Sequence, residues 1–299
     1  MKFYDYIIAS FRLRIFGAKA DLATLGLLGF APFYVQDNNA EPTDPLLEVR
    51  LAQKLSYAAD DFRLLTTFDY DEGRAKCLFY ASDDEFLFVM EGEDGYSQHY
   101  LCERSCKRVF SDVVIEPHTV ACSMLRFGLW FMLGIAMAKE GFSAVHSSTI
   151  VVDGRAVMFL GESGTGKSTH TRLWRENIDG ATLLNDDSPF IGLKDGQVMV
   201  YGSPWSGKTP CYKNQSYPLH AIVRLSQAPY NKITRQRSIF AIGALLPSLP
   251  PALLHDRELE SLLHDILSAV ISRVPLYHLE CLPDADAAFT SYNALYGKE

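Results

Sequence analysis

The chain has 299 residues, of which 48% are hydrophobic and 21% charged, a composition typical of globular proteins. This length suffices for one large domain or two ordinary domains with cores of their own. The formal net charge of −8 argues against a protein that binds nucleic acid electrostatically.

Three features of the sequence favour a cytoplasmic protein with no membrane partner. The first residues, MKFYDYIIASFRLR, carry charges on both sides of a very short apolar run, so we expect no signal peptide. The most apolar stretch, residues 123–139, contains Arg126 and is shorter than the ~20 residues that a membrane span needs. We therefore expect a buried helix there. The six cysteines lack the paired spacing of a zinc site, and we expect reduced thiols.

Residues 1–120 are expected to form a β-rich region. Short apolar runs such as YIIASFRLRIF, LLEVRL and KCLFYA are separated by polar breaks. The segment from Asp37 to Pro45 is typical of a loop, because it combines two prolines with several turn-forming residues. No combination of residues in this region indicates a chemistry, so its role stays open.

A β-hairpin is predicted after the apolar helix, where the runs TIVV and AVMFL flank Asp153 and Gly154. If this dipeptide forms the whole turn, Val152 lies opposite Arg155 and His146 lies opposite Gly161. The imidazole of His146 would then stand beside the loop that follows AVMFL. Two interpretations remain: His146 takes part in the chemistry of that loop, or it is an ordinary surface or core histidine.

The segment after AVMFL, GESGTGKST, matches the pattern G-x-x-x-x-G-K-[ST]. In such a loop the backbone N–H groups surround phosphates, the lysine reaches the β/γ-phosphates and the Ser/Thr hydroxyl ligates Mg²⁺. We therefore predict that ATP and Mg²⁺ bind here. The residues assigned to the nucleotide are Gly161, Glu162, Ser163, Gly164, Thr165, Gly166, Lys167, Ser168 and Thr169.

Two adjacent carboxylates follow the loop. The stretch STHTRLWREN predicts a helix, and ATLL predicts a strand that runs parallel to AVMFL and ends at Asp186 and Asp187. Successive strand residues point to opposite faces, so both carboxylates reach the metal only if the strand ends there. The alternative is a solvated acidic turn.

The rest of the chain continues the α/β pattern. Residues 201–214, YGSPWSGKTPCYKN, form a loop that either closes over phosphate or simply connects two strands; it contains Lys208 and Lys213. We predict a strand at 220–227, an amphipathic helix over 258–274, a strand within 275–283 and a short final helix.

The order of these features resembles the catalytic domain of HPr kinase/phosphorylase and its stand-alone relatives. The matching features are a histidine at the start of a hairpin strand, the GxSGxGKS loop, a helix and a strand that ends in paired aspartates. The resemblance implies catalytic roles for His146, Lys167 and Asp186, the last as the base that accepts the proton of a hydroxyl. It implies a metal near Ser168 and Asp187. Strand alternation indicates that the two aspartates differ, but not which is base and which is ligand.

The resemblance also implies an α/β fold with α+β elements: a P-loop kinase core at residues 121–299, related to that of ATP-dependent phosphoenolpyruvate carboxykinase, after a β-rich region at 1–120. The family has a metal-ligating glutamate in a downstream glycine-rich signature, whereas VMVYGSPWSG contains no acidic residue. This difference argues against phosphorolysis and against HPr as the substrate.

The leading hypothesis is a Mg·ATP-dependent kinase that phosphorylates a hydroxyl of a protein, peptide or small molecule. The alternatives are a lyase of the carboxykinase kind and a non-catalytic nucleotide-binding regulatory protein. We expect no nucleic-acid partner, and an assembly of identical chains is left open.

Overall fold

The structure is a computed structural model that describes residues 2–17, 27–35, 44–114, 120–207 and 209–297. Most of the loop predicted from Asp37 to Pro45 lies outside these residues, as does Lys208. Compact packing divides the chain into two units. The first contains Met1–Glu140 and Ala252–Ser261, and the second contains Gly141–Pro251 and Leu262–Glu299.

The first unit is built on an eight-stranded sheet, which confirms that this part of the chain is β-rich. Its strands are β1 (Phe3–Ile8), β2 (Phe11–Phe16), β3 (Leu47–Arg50), β4 (Arg63–Tyr70), β5 (Ala75–Ala81), β6 (Glu85–Gly92), β7 (Ser97–Glu103) and β8 (Arg108–Ser111). They lie in the order β1-β2-β3-β8-β7-β6-β5-β4. Along β5 every second residue is buried, as expected for a strand with one face on a core.

The apolar helix of the first unit is α1 (Val120–Lys139), which contains the apolar stretch 123–139 and ends at the predicted residue. It is long and apolar enough to cross a membrane, but most of its residues are buried within the protein. Phe131 stacks on Phe88 of β6 and lies edge-on to Phe79 of β5. The helix therefore supplies the core of the first unit, whereas the sequence interpretation assigned it to the following domain.

The second unit is built on a nine-stranded sheet with helices, so the chain as a whole is a mixed α/β protein. Its strands are β9 (Phe142–Ala144), β10 (Ser147–Val152), β11 (Arg155–Leu160), β12 (Thr182–Asp187), β13 (Phe190–Lys194), β14 (Gln197–Tyr201), β15 (Ser216–Gln227), β16 (Lys232–Arg235) and β17 (Leu276–Cys281). The order is β12-β10-β11-β15-β14-β13-β9, with β17 beside β15 and β16 beside β17.

The predicted hairpin is formed by β10 and β11, and its register is confirmed. Val152 pairs with Arg155, and Asp153 and Gly154 make the turn with φ angles of 50° and 69°. Strand β12 runs parallel to β11 in direction, as predicted, but it pairs with β10, which lies between them. Strands β15 and β17 also run parallel to β11. The carboxyl ends of β11, β12, β15 and β17 therefore meet at one edge of the sheet.

The α-helices that follow α1 are α2 (Lys167–Asn177), α3 (Ser238–Leu245), α4 (Arg257–Ile271) and α5 (Ala285–Tyr296). On one face of the second sheet, Trp174 of α2 is fully buried in a cluster with Phe159 of β11 and Val223 of β15. This packing fixes the start of α2 at the sheet edge where β11 ends.

Candidate functional site

The loop from Gly161 to Gly166 joins β11 to α2 at the carboxyl edge of the sheet. Gly164 and Gly166 have φ angles of 82° and 105°, which L-residues with a side chain rarely adopt. Apart from the adjoining residues of the chain, no described atom lies within 4 Å of a Cβ built on either glycine, so the loop backbone faces open space. The start of α2 adds unpaired N–H groups on the same side, an arrangement suited to anions.

Lys167, the first residue of α2, extends its side chain back across this loop. Its Nζ donates to the carbonyl oxygens of Gly161 at 2.7 Å and Glu162 at 3.3 Å. The same nitrogen lies 3.0 Å from His146 Nε2. Burial lowers the pKa of the ammonium, and the nearby carboxylates of the paired aspartates act in the opposite direction.

His146 lies beside the loop, as the hairpin register predicts. Its backbone N–H donates to the Ser248 carbonyl at 2.7 Å, and its Nδ1 lies 3.1 Å from Asp187 Oδ1. An ammonium can only donate, so Nε2 accepts from Lys167 and Nδ1–H donates to Asp187. The three side chains therefore form one hydrogen-bonded chain: lysine, imidazole, carboxylate.

Asp186 lies on the other side of the loop and is 4% exposed. Its Oδ1 accepts a hydrogen bond from Ser168 Oγ at 3.0 Å, and its Oδ2 accepts from the Thr209 backbone N–H at 3.3 Å. Among the described residues it forms no ion pair with a basic side chain. A buried carboxylate of this kind is normally paired or bound to a metal, so the donor set of Asp186 and Ser168 fits Mg²⁺.

Both aspartates reach the loop because β12 ends at Asp187. The φ angle of Asp187 is 154°, outside the extended range, so strand alternation stops at this residue. The Asp187 side chain is 40% exposed, in contrast to that of Asp186. The structure thus places Asp186 beside Ser168 and Asp187 beside His146.

Asn185 was not predicted as a site residue, yet it organises this end of β12. It is fully buried, and its Nδ2 donates to the carbonyl oxygens of Ser203 and Trp205 at 3.3 and 2.9 Å. Its Oδ1 accepts from the Ser188 N–H at 2.9 Å. The loop after β14 is thereby fixed against the aspartates. One feature of the sequence could have revealed Asn185: it is a polar residue within a strand whose other residues are expected to be buried.

The other residues assigned to the nucleotide lie on the same loop but make few side-chain contacts. Glu162 and Ser163 are exposed, and Thr165 Oγ1 donates to the Glu162 carbonyl at 2.8 Å. Thr169 lines a separate cavity of about 540 Å³ next to α2. Within the described part of the chain, no group of three or more His, Cys, Asp or Glu side chains forms a metal site by itself. Mg²⁺ that is bound with a nucleotide needs only one or two protein ligands.

No family model matches this chain, and no curated protein matches it. Among solved structures, the chain is similar to the structure of the Hpr(Ser) kinase/phosphatase from Coxiella burnetii. The identity is 12% and the TM-score is 0.31, and the match covers 50% of this chain and 95% of that chain. A likeness at this level is distant and assigns no activity to the chain.

Proposed function

We propose that the chain is a Mg·ATP-dependent kinase with a P-loop core, which transfers the γ-phosphoryl group to a hydroxyl of a protein, peptide or small molecule. The observation that carries the proposal is the buried carboxylate of Asp186, which has no basic partner in the described chain and is hydrogen-bonded to Ser168 at the start of α2. A metal ion at this position would neutralise the carboxylate and hold a polyphosphate in the loop.

The loop and Lys167 would bind the phosphates. The backbone at Gly164 and Gly166 leaves room for phosphate oxygens, and the ammonium of Lys167 lies where it can exchange its carbonyl partners for the γ-phosphate. Fixed donors of this kind stabilise the charge that spreads over the transferring group. Residues 161–169 remain the proposed nucleotide site.

Ser168 and Asp186 would hold Mg²⁺, which would supply neutralisation of the phosphate charge when bound. The geometry favours Asp186 as the metal ligand and Asp187 as the base. The sequence led us to expect the opposite roles, with Asp187 as the ligand and Asp186 as the base. Both oxygens of Asp186 already accept hydrogen bonds, whereas Asp187 is half-exposed and faces His146.

Asp187 would therefore be the general base, and His146 the positioning residue that orients it through Nδ1–H. In the transfer, the carboxylate of Asp187 takes the proton of the acceptor hydroxyl as the hydroxyl oxygen bonds to the γ-phosphorus. The bond from that phosphorus to the β–γ bridging oxygen breaks, and ADP leaves. A cytoplasmic location with a ready ATP supply is part of the same proposal.

The test is to incubate the protein with [γ-³²P]ATP, Mg²⁺ and extract of its source cell, with the Lys167→Ala variant as control. We expect label on an acceptor with the wild-type protein and none with the variant. The label should stay on the acceptor when unlabelled ATP is added. Label released only as inorganic phosphate, or nucleotide turnover that requires oxaloacetate, would contradict the proposal.

A further inference from the structure

A second cavity of about 780 Å³ shares one wall, the phosphate loop, with the proposed nucleotide site, and the kinase proposal assigns no role to its other walls. It lies within the second unit. Its lining includes the loop residues 161–165, Arg224 and Ser226 of β15, Phe240 of α3 and His278 of β17. Its volume falls in the range of about 300–1,000 Å³ that is typical of small-molecule sites.

The cavity lies on the face of the sheet that points away from α2. Val223 and Leu225 of β15 belong to the cluster that packs against α2. Arg224 lies between them, so its side chain points to the other face. On that face Arg224 is paired with Leu160, the last residue of β11, and with His278 of β17. Helix α3 contributes the facing wall.

The cavity borders the γ-phosphate end of the proposed nucleotide site. Lys167, which marks the β/γ-phosphates, bonds to Gly161 in the cavity lining and to His146. The backbone of His146 is hydrogen-bonded to Ser248, just beyond α3. Thr169, farther along α2, lines the other cavity, on the α2 face. An acceptor in the cavity beside Arg224 would therefore approach the γ-phosphate from the side that carries His146.

The lining of this cavity combines the cationic side chain of Arg224 with the exposed apolar ring of Phe240. The guanidinium of Arg224 has no hydrogen-bond or ion-pair partner among the described residues, and the side chain is exposed. Guanidinium groups bind carboxylates through two parallel hydrogen bonds. Phe240 is 61% exposed and offers a ring for the carbon skeleton of a ligand. His278 is already occupied, since its Nε2 lies 2.8 Å from Ser226 Oγ.

We propose that this cavity binds the phosphoryl acceptor, and that the acceptor is a small hydroxy acid whose carboxylate pairs with Arg224 while its hydroxyl faces the γ-phosphate. This inference rests on the proposed kinase function and names its substrate class. The hydroxyl oxygen bonds to the γ-phosphorus, its proton passes to Asp187, and ADP is the leaving group. The product is the phosphate ester of the acid.

The experiment compares hydroxy acids with their neutral counterparts as acceptors for [γ-³²P]ATP. The probes are N-acetyl-L-serine, L-serine and D-glycerate against N-acetyl-L-serinamide, L-serinamide and glycerol. We expect at least one acid to be phosphorylated with a kcat/KM at least about tenfold above that of its counterpart, the scale expected for hydrogen bonds between a guanidinium and a carboxylate. Equal use of acid and neutral compound, or transfer to none of the acids, overturns the inference.

Arg224→Gln tests the residue, with Arg235→Gln as the matched control. Arg235 is an exposed arginine on β16, which is separated from β15 by β17, and it does not line the cavity. We expect Arg224→Gln to raise the KM for the acid at least about tenfold and to leave use of the amide unchanged, whereas Arg235→Gln changes neither. An unchanged preference for the acid in Arg224→Gln contradicts the role of Arg224.

Binding of Mg·ATP to wild type, measured by calorimetry, separates the two levels of the proposal. If Mg·ATP binds and an extract protein is labelled while no acid is, the substrate class is wrong and the kinase function stands. If Mg·ATP does not bind, the kinase function itself fails.

Discussion

Each of the two sheets holds one buried aspartate, and the partners of these aspartates differ. Asp5 of the first unit is 7% exposed and accepts hydrogen bonds from Arg12 and from both ends of the Arg14 fork at 2.6–2.8 Å. Asp186 of the second unit is 4% exposed and accepts from a hydroxyl and a backbone N–H. The first carboxylate is paired with two arginines, whereas the second forms no ion pair with a basic side chain among the described residues.

We propose that this difference separates a structural carboxylate, Asp5, from a functional one, Asp186. Burial tends to raise the pKa of Asp5, but the hydrogen bonds and charges of Arg14 and Arg12 outweigh it and lower the pKa. The ion pair therefore stabilises the fold. Asp186 forms no ion pair in the described chain, and Lys167 acts on it only through the charge of a nearby ammonium. We propose that a cation arriving with the nucleotide completes the compensation of this carboxylate.

The largest effect is expected for Lys167→Ala. Its ammonium contacts loop carbonyl oxygens and His146, so its charge lies directly on the loop. Loss of this charge should lower phosphoryl transfer on the order of 10³-fold, the upper range for removal of one fixed donor. Transfer rates and ATP calorimetry measure it. Arg172→Ala, which removes an exposed cation on the same helix, is the control and should keep activity.

Asp5→Asn should instead destabilise the first unit without affecting the site. Removal of the buried carboxylate charge takes the main ion-pair partner from the part-buried Arg12 and Arg14, at a cost of about 3 kcal/mol in the free energy of unfolding. Because the pKa of Asp5 is lowered in the folded state, this contribution is present above about pH 5 and is lost as the pH falls through the folded pKa. Thermal unfolding from pH 7 to pH 3 checks it. If the difference in unfolding temperature between wild type and variant grew toward pH 3, the prediction would be contradicted.

Asp187→Asn should lower transfer on the order of 10²-fold, the usual value of a general base, while Mg·ATP binds as in wild type. Asparagine keeps an acceptor for His146 Nδ1–H but cannot take a proton. The measurement is the transfer rate at saturating Mg·ATP. If Asp186→Asn, and not Asp187→Asn, shows this loss at saturation, the division of roles expected from the sequence is the correct one.

Much of the second unit could be predicted because its signals are local. The dipeptide Asp153-Gly154 fixes the hairpin register, and that register places His146 next to Gly161. The position of β12 could not be predicted, since the choice between pairing with β10 and with β11 depends on the whole sheet. The packing of α1 with the first unit was missed for the same reason: apolar residues on nearly all sides indicate burial but not the partner.

The roles within the site were harder to predict than its location. Which aspartate meets Ser168 depends on the backbone turn at Asp187, and that turn is fixed by contacts such as those of Asn185 with Ser203 and Trp205. Arg224 carried no signal, because one arginine in an ordinary strand pattern becomes notable only when β15 is placed beside β11.

The most direct test of the account is the metal requirement of Asp186→Asn. The variant keeps an acceptor for Ser168 but removes the buried charge that we assign to the metal. We predict a Mg²⁺ requirement raised by about tenfold or more, with the rate at saturating Mg²⁺ largely retained. In the absence of metal and nucleotide, we also predict an unfolding temperature equal to or above that of wild type, because an uncompensated buried charge has been removed. An unchanged Mg²⁺ requirement together with a lower unfolding temperature would show that Asp186 is a structural carboxylate like Asp5.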